Sequence, residues 1–320
     1  MIKEVAGLLI LIGLFMTTSL HADTLRRVGM LNYANASDVR VGQFRDALRE
    51  LGYVEGQNLI LTERHADGAL NRLPELAAEL VANKVEVIIA LGPAVWAAKQ
   101  ATTTVPIIIA FSGNPEQQAV VASLARPGGN LTGFSYMSSD LAAKRLALLC
   151  EMFSKCIRVA ALYNPLEPAT EAELTATEAG ARSLGVTLEA IPVRSLTDLE
   201  QAFATAVRGG VQGMLVFTHG FAVLNRGRIM ELAAQQRVPI LYGWRDFVDE
   251  GGLMSYGPDI APLVRGAARY VDRALRGEKA ADLPVQEPTR LQLIINLKTA
   301  RELGVTVPPA LLARADEVIE

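Results

Sequence analysis

The chain has 320 residues, half of them hydrophobic, and a formal net charge of −3. That length suits two domains that each bury a core. The near-neutral balance, with no polybasic segment, excludes the clustered basic surface that nucleic-acid binding requires, and neither a heptad array nor a low-complexity tract is present.

In chain order, residues 1–22 come first: Lys3, an apolar run from Val5 to Met16, and a polar stretch ending at Ala22. This is the pattern of a secretory signal cut near Ala22. The apolar run is shorter than the roughly 20 residues a spanning helix needs, so the mature chain is expected to be exported and soluble. Next come a strand in RRVGML (from Arg26), helices in VGQFRDALRELG (from Val41) and LPELAAELVANK (from Leu73), and strands in VEVIIALGP (from Val85) and VPIIIAFSGNP (from Val105). ARPGGNLTGFSY (from Ala125) reads as a turn and a short strand, followed by a helix from Asp140 to Phe153. The pattern then repeats: IRVAALYNP (from Ile157), a helix ending ARSLG at Gly185, DLEQAFATAVRGG (from Asp198), VQGMLVFTHG (from Val211) and VPILYGWRD (from Val238). Alternating helices and continuously apolar strands predict parallel sheets covered on both faces, an α/β fold of two similar lobes.

Three segments have no obvious counterpart within the repeat: Pro127 to Tyr136, Gly251 to Asp259 and Leu283 to Asn296. They are expected to be the crossovers of a hinge, which assigns 23–135 plus 258–284 to lobe 1 and 136–257 plus 285–320 to lobe 2. The two cysteines, Cys150 and Cys156, either pair in an oxidising compartment or pack unbonded; the spacing leaves both open and suggests neither zinc nor redox catalysis.

Enzyme signatures are absent. There is no phosphate-binding glycine loop, no nucleophile elbow and no H-E-x-x-H, and VGMLNYANAS after the first strand lacks the glycines of a dinucleotide fingerprint. No catalytic residue, metal or cofactor is expected. The strand ends carry the information, because ligands of open α/β sheets sit outside the carboxyl ends of the strands. Those ends are small, polar or aromatic. Pro93, Pro115 and Pro165 suit the first turn of a helix, which would aim free N–H groups at a carboxylate. The Ser112 hydroxyl and the Asn114 and Asn164 amides could add hydrogen bonds, or the two asparagines could simply cap helices. Trp96 and Trp244, with Tyr33, Tyr163, Tyr242 and Tyr256, offer stacking surfaces or edge packing. Arg245, Asp246 and Asp259 could meet a charged ligand or form ion pairs. The ligand set drawn from these is Asn32, Tyr33, Gly92, Pro93, Ala94, Ser112, Gly113, Asn114, Tyr136, Asn164, Thr218, His219, Trp244, Asp246 and Tyr256.

SLARPGGNLTGFS (from Ser123), GGLMSYGPD (from Gly251), ELVANKVEVIIALG and the tail from Ile295 are similar to a family of ABC-transporter substrate-binding proteins of largely unassigned ligand, within the type I periplasmic binding proteins. The resemblance covers essentially the whole mature chain. It implies a periplasmic receptor that closes around a small carboxylate-bearing or aromatic solute, aromatic amino acids being among the family's ligands, and delivers it to an ABC permease. It also implies a monomer that meets the membrane only through that permease. An exported sensing module is the alternative, and an α/β transferase or epimerase a more distant one.

Overall fold

The computed structural model describes residues 25–116 and 119–320; the expected signal segment lies outside them. β1 (Arg26–Asn32), β2 (Leu59–His65), β3 (Val87–Leu91), β4 (Ile107–Ser112) and β5 (Leu131–Ser135) form a parallel sheet in the order β2-β1-β3-β4-β5. α1 (Val39–Glu50), α2 (Leu73–Ala82) and α3 (Ala94–Ala101) connect its strands. α1 starts where the Asp38 side chain accepts from the Arg40 N–H, a side-chain cap for an otherwise unpaired donor.

After α4 (Ala142–Cys150), the second sheet takes β6 (Arg158–Tyr163), β7 (Thr187–Pro192), β8 (Gly213–Val216), β9 (Ile240–Tyr242) and β10 (Met254–Pro258). Their order is β10-β9-β8-β6-β7, and all of these pairs are parallel. Between them run α5 (Pro168–Leu184), α6 (Leu196–Arg208), the short α7 (Gly220–Leu224), α8 (Arg226–Gln236) and α9 (Arg245–Asp249). The chain continues through α10 (Ala261–Leu275), β11 (Leu291–Asn296), α11 (Leu297–Leu303), α12 (Pro309–Leu312) and β12 (Glu317–Ile319). β11 pairs antiparallel with β10, and β12 extends the edge.

The strand order of the first sheet is therefore repeated in the second, β2-β1-β3-β4-β5 matching β7-β6-β8-β9-β10. Two of the segments expected to lack a counterpart turn out to match each other: β5 and β10 each close the repeated sheet and lead out of their own lobe. Each is followed by a helix that serves the other lobe. α4, after β5, packs on α5, β8 and β9; α10, after β10, packs on α1, β3, β4 and β5. Sequence similarity misses this pairing because the two strands meet different neighbours. The chain returns from the first lobe by way of Gln286, whose N–H bonds the Gly133 carbonyl, and enters β11.

The helix expected from Asp140 to Phe153 is shorter, Ala142–Cys150. The turn after it is closed by a disulfide between Cys150 and Cys156, whose Cα atoms are 5.2 Å apart. Pro93 stands at the N-cap of α3, directly before the first turn where it was expected. Pro115 and Pro165 lie instead in turns, and α5 opens on Pro168. No helix among the described residues is long and apolar enough to cross a membrane.

A buried ion pair ties the crossings down. Arg145, on α4, meets Glu173, on α5, at 2.9 Å, with side-chain exposures of 4% and 2%. The same guanidinium donates to the carbonyls of Ser138, in the first crossing, and Tyr256, in β10. Breaking such a pair leaves an uncompensated buried charge, which is strongly destabilising. Burial pushes the Glu173 carboxyl up to about 7, against the opposing pull of Arg145 and of a backbone bond from Thr218.

Two outcomes follow. Gly133 has φ of 140°, and a Cβ there would lie 2.1 Å from the Ile109 carbonyl oxygen; Gly133→Ala should lose about 3 kcal/mol in denaturant unfolding from strain and overpacking. The folded Glu173 holds its proton to higher pH than an unfolded glutamate, from 4.5 to about 7. Its contribution is therefore complete below about pH 4.5 and is lost as pH rises through 7, by at most about 1.4 kcal/mol per pH unit. Unfolding measured across that range should show this slope in the wild type and not in Glu173→Gln.

Candidate functional site

The carboxyl ends of the two sets of parallel strands face one another, and a cavity partly open to solvent lies between them. The first lobe contributes the β1 end with the start of α1 (Asn32, Tyr33, Ala34, Asp38, Arg40). It also contributes the β3–α3 turn (Leu91, Gly92, Pro93, Trp96) and the β4 end (Phe111, Ser112, Gly113). The second contributes Glu167, Pro168 and Ala169 before and at the start of α5, Thr218 to Gly220 with Val223 around α7, and Trp244 after β9; Tyr136 stands at the crossing.

The lobes touch around this space. The Tyr33 ring lies so close to Gly220 that a Cβ there would fall 2.3 Å from its ring carbons. Glycine is what permits the approach. The Arg40 guanidinium bonds Asp38 at 2.9 Å within its own lobe and Asp246 at 2.6 Å in the other. It also lies 4.9 Å from the ring centre of Trp244 and 5.7 Å from that of Phe111. Phe111 and Tyr136 pack edge-on to Trp244, at 5.5 and 5.3 Å.

Glu167 is the acid of the cavity wall that meets no Arg or Lys partner among the described residues. It is 4% exposed. Its oxygens accept from the N–H groups of Gly220 (2.9 Å) and Phe221 (3.3 Å) and from the Asn164 amide (3.3 Å). Three donors spread its charge over the start of α7. His219 lies 3.6 Å away through Nδ1, too far for a hydrogen bond, and that nitrogen already accepts from the Ala222 N–H. The first turn of α7 is thus filled from within by Glu167 and His219, which removes it as a site for a ligand anion. The start of α3, at Gly92 and Pro93, carries no such internal acid in the cavity wall.

Several donors lie in this wall. The indole N–H groups of Trp96 and Trp244 and the Thr218 hydroxyl are buried and bond no described group. The Tyr136 hydroxyl donates to the Thr218 carbonyl at 3.0 Å. Burial, with the charges of Glu173 and Glu167, raises its pKa far above the ordinary value; Tyr33 is raised by burial and by Glu167. Both phenols stay protonated. Among the described residues no group of three or more His, Cys, Asp or Glu is placed to hold a metal ion.

Of the residues singled out from sequence, Asn32, Tyr33, Gly92, Pro93, Ser112, Gly113, Tyr136, Thr218, His219 and Trp244 are in the cavity wall. Five are not. Ala94 is buried in the first lobe's core. Asn114 bonds the Asp140 carboxylate at 3.0 Å. Asn164 accepts from Leu166 N–H and serves the turn into α5. Asp246 is engaged by Arg40, and Tyr256 packs in the second lobe with its carbonyl held by Arg145. Even Asn32, which lines the cavity, spends its side chain on its own turn, accepting from Ala34 N–H. Sequence reasoning missed Arg40, Asp38, Phe111 and Glu167. The missed signal for Glu167 was Asn164-Pro-Leu-Glu-Pro at a strand end, where an acid precedes the proline that opens a helix.

A family model described as ABC transporter substrate binding protein matches residues 32–319. A tyrosine-binding protein of Clostridioides difficile (strain R20291) is 26% identical over 264 residues, 82% of this chain and 75% of that protein. The crystal structure of an ABC domain from Streptococcus pneumonia in complex with L-Trp is 25% identical, with a TM-score of 0.83, covering 91% of this chain and all of that one. A conserved domain protein from Vibrio cholerae O1 is 24% identical with a TM-score of 0.86, covering 92% of this chain and all of that one. The fold is that of the type I periplasmic binding proteins, and the family consists of solute-binding proteins rather than enzymes. Matched along nearly its whole described length, the chain belongs to the ABC transporter substrate binding protein family.

Proposed function

We propose that the chain is the periplasmic receptor of an ABC uptake system, and that it binds one amino acid with an aromatic or large apolar side chain in the interlobe cavity. The carrying observation is one cavity wall that holds a buried carboxylate with no Arg or Lys partner among the described residues, Glu167, and two tryptophans whose N–H groups bond no described group. A zwitterion suits this polarity. Its ammonium would face Glu167 in the second lobe. Its carboxylate would face the start of α3 and the Ser112 hydroxyl in the first, where N–H groups and the helix dipole favour an anion. Such a ligand interacts with both lobes only when they are closed, so it shifts the hinge toward closure.

The tyrosine-binding relative and the L-Trp complex support the amino-acid class. Segments 23–135 plus 258–284 and 136–257 plus 285–320 are the proposed closing bodies, and residues 1–22 the proposed export signal. A clamp that closes on one ligand needs no symmetry, so the receptor works as a monomer docking on permease subunits.

L-tryptophan or L-tyrosine at 100 times its Kd should add about 2.7 kcal/mol of stability and raise the melting temperature by about 5–10 °C. Glu167→Gln should weaken calorimetric binding of these amino acids about 10- to 100-fold, the scale of a hydrogen bond to a charged group. It should change the weaker binding of indole-3-propionate, which lacks the ammonium, far less. No melting shift with any amino acid would overturn the proposal.

A further inference from the structure

Arg40 sits on the first lobe, but two of its strongest contacts lie on the second. Asp38, which caps α1, also accepts from the Arg40 guanidinium; this interaction is internal to the first lobe and survives any opening of the hinge. Asp246 and the face of Trp244 lie across the cleft. Opening the lobes strips Arg40 of an ion pair and a cation–π contact, and leaves it held by Asp38 in the same place. The guanidinium is therefore preorganised in both states and fully partnered in one. It is also largely desolvated, 6% exposed, whereas Asp246 is 31% exposed. That places the interaction well above an ordinary surface ion pair in strength and still within reach of salt screening.

We propose that Arg40 is a cross-cleft clasp, a positioning residue that holds the two lobes together through Asp246 and Trp244 before any solute binds. The inference rests on the hinge-closing reading and not on the identity of the ligand. Its consequence is quantitative: a receptor whose empty form is already partly closed gives up less affinity to the closing step. Because Arg40 lines the cavity next to Trp244, the clasp also fixes one face of that ring and leaves its N–H for the solute.

The test compares wild type, Asp246→Asn, Arg40→Gln and the double variant by small-angle scattering of the empty protein, together with calorimetric titration of L-tryptophan. The clasp predicts that each single variant enlarges the empty protein's radius of gyration and weakens L-tryptophan about tenfold or more. The double variant should be no weaker than Arg40→Gln alone, because the Arg40–Asp246 pair is already lost there. Raising salt to about 1 M, where the Debye length is about 3 Å, should expand the empty wild type and leave Asp246→Asn unchanged. Asp246→Asn, a substitution at the lobe surface, keeps the test sound if Arg40→Gln folds poorly. An unchanged radius and affinity in Asp246→Asn would overturn the clasp. So would a loss of affinity confined to Arg40→Gln, which would make Arg40 a direct ligand contact. If L-tryptophan fails to bind the wild type, the ligand reading falls, and the scattering still decides the clasp.

Discussion

A parallel strand can be followed by another only after a crossover, so every connection out of its carboxyl end gathers on one edge of the sheet. Two such sheets in one chain give two such edges, and here they face each other. Everything that distinguishes this molecule depends on that constraint. Much of the cavity wall consists of residues within a few positions of a strand's end: Asn32 and Tyr33, Gly92 and Pro93, Ser112 and Gly113, Thr218 and His219, Trp244. The edge strands β5 and β10 send their following helices to the opposite lobe, which makes the connection between lobes reciprocal rather than a single linker.

The charges are arranged on the same plan. Asp38, Arg40 and Asp246 form a chain across the rim, and Arg145 with Glu173 forms another beneath the crossings. Glu167 differs from both. Its negative charge is stabilised by backbone N–H groups and an amide rather than by an arginine, so it remains available to a cation entering the cavity. Charge satisfied by dipoles and charge satisfied by ions are thus separated in space, and that separation gives the cavity its polarity.

The alternation of apolar strands and amphipathic helices made the lobes readable from sequence, because both sheet faces are covered and the strands are apolar throughout. The equivalence of β5 and β10 was not readable, since pairing partners rather than residue types define it. At the site, strand-end residues such as Ser112 and Trp244 could be found by position alone. Asp246 could not be placed, because its role depends on Arg40, 206 positions earlier in the chain. Glu167 sits beyond a proline-bounded turn at a strand end, where an acid reads equally as a helix-start charge. What sequence conceals here is contact between lobes.

Whether this cavity holds an amino acid between Glu167 and the two tryptophans is decided by a crystal structure of the protein grown with L-tryptophan. Density is expected for one ligand per chain, with its ammonium toward Glu167 of the second lobe and its carboxylate toward Ser112 and the start of α3 in the first. Density with the zwitterion reversed, or bound outside the interlobe cavity, would contradict this placement.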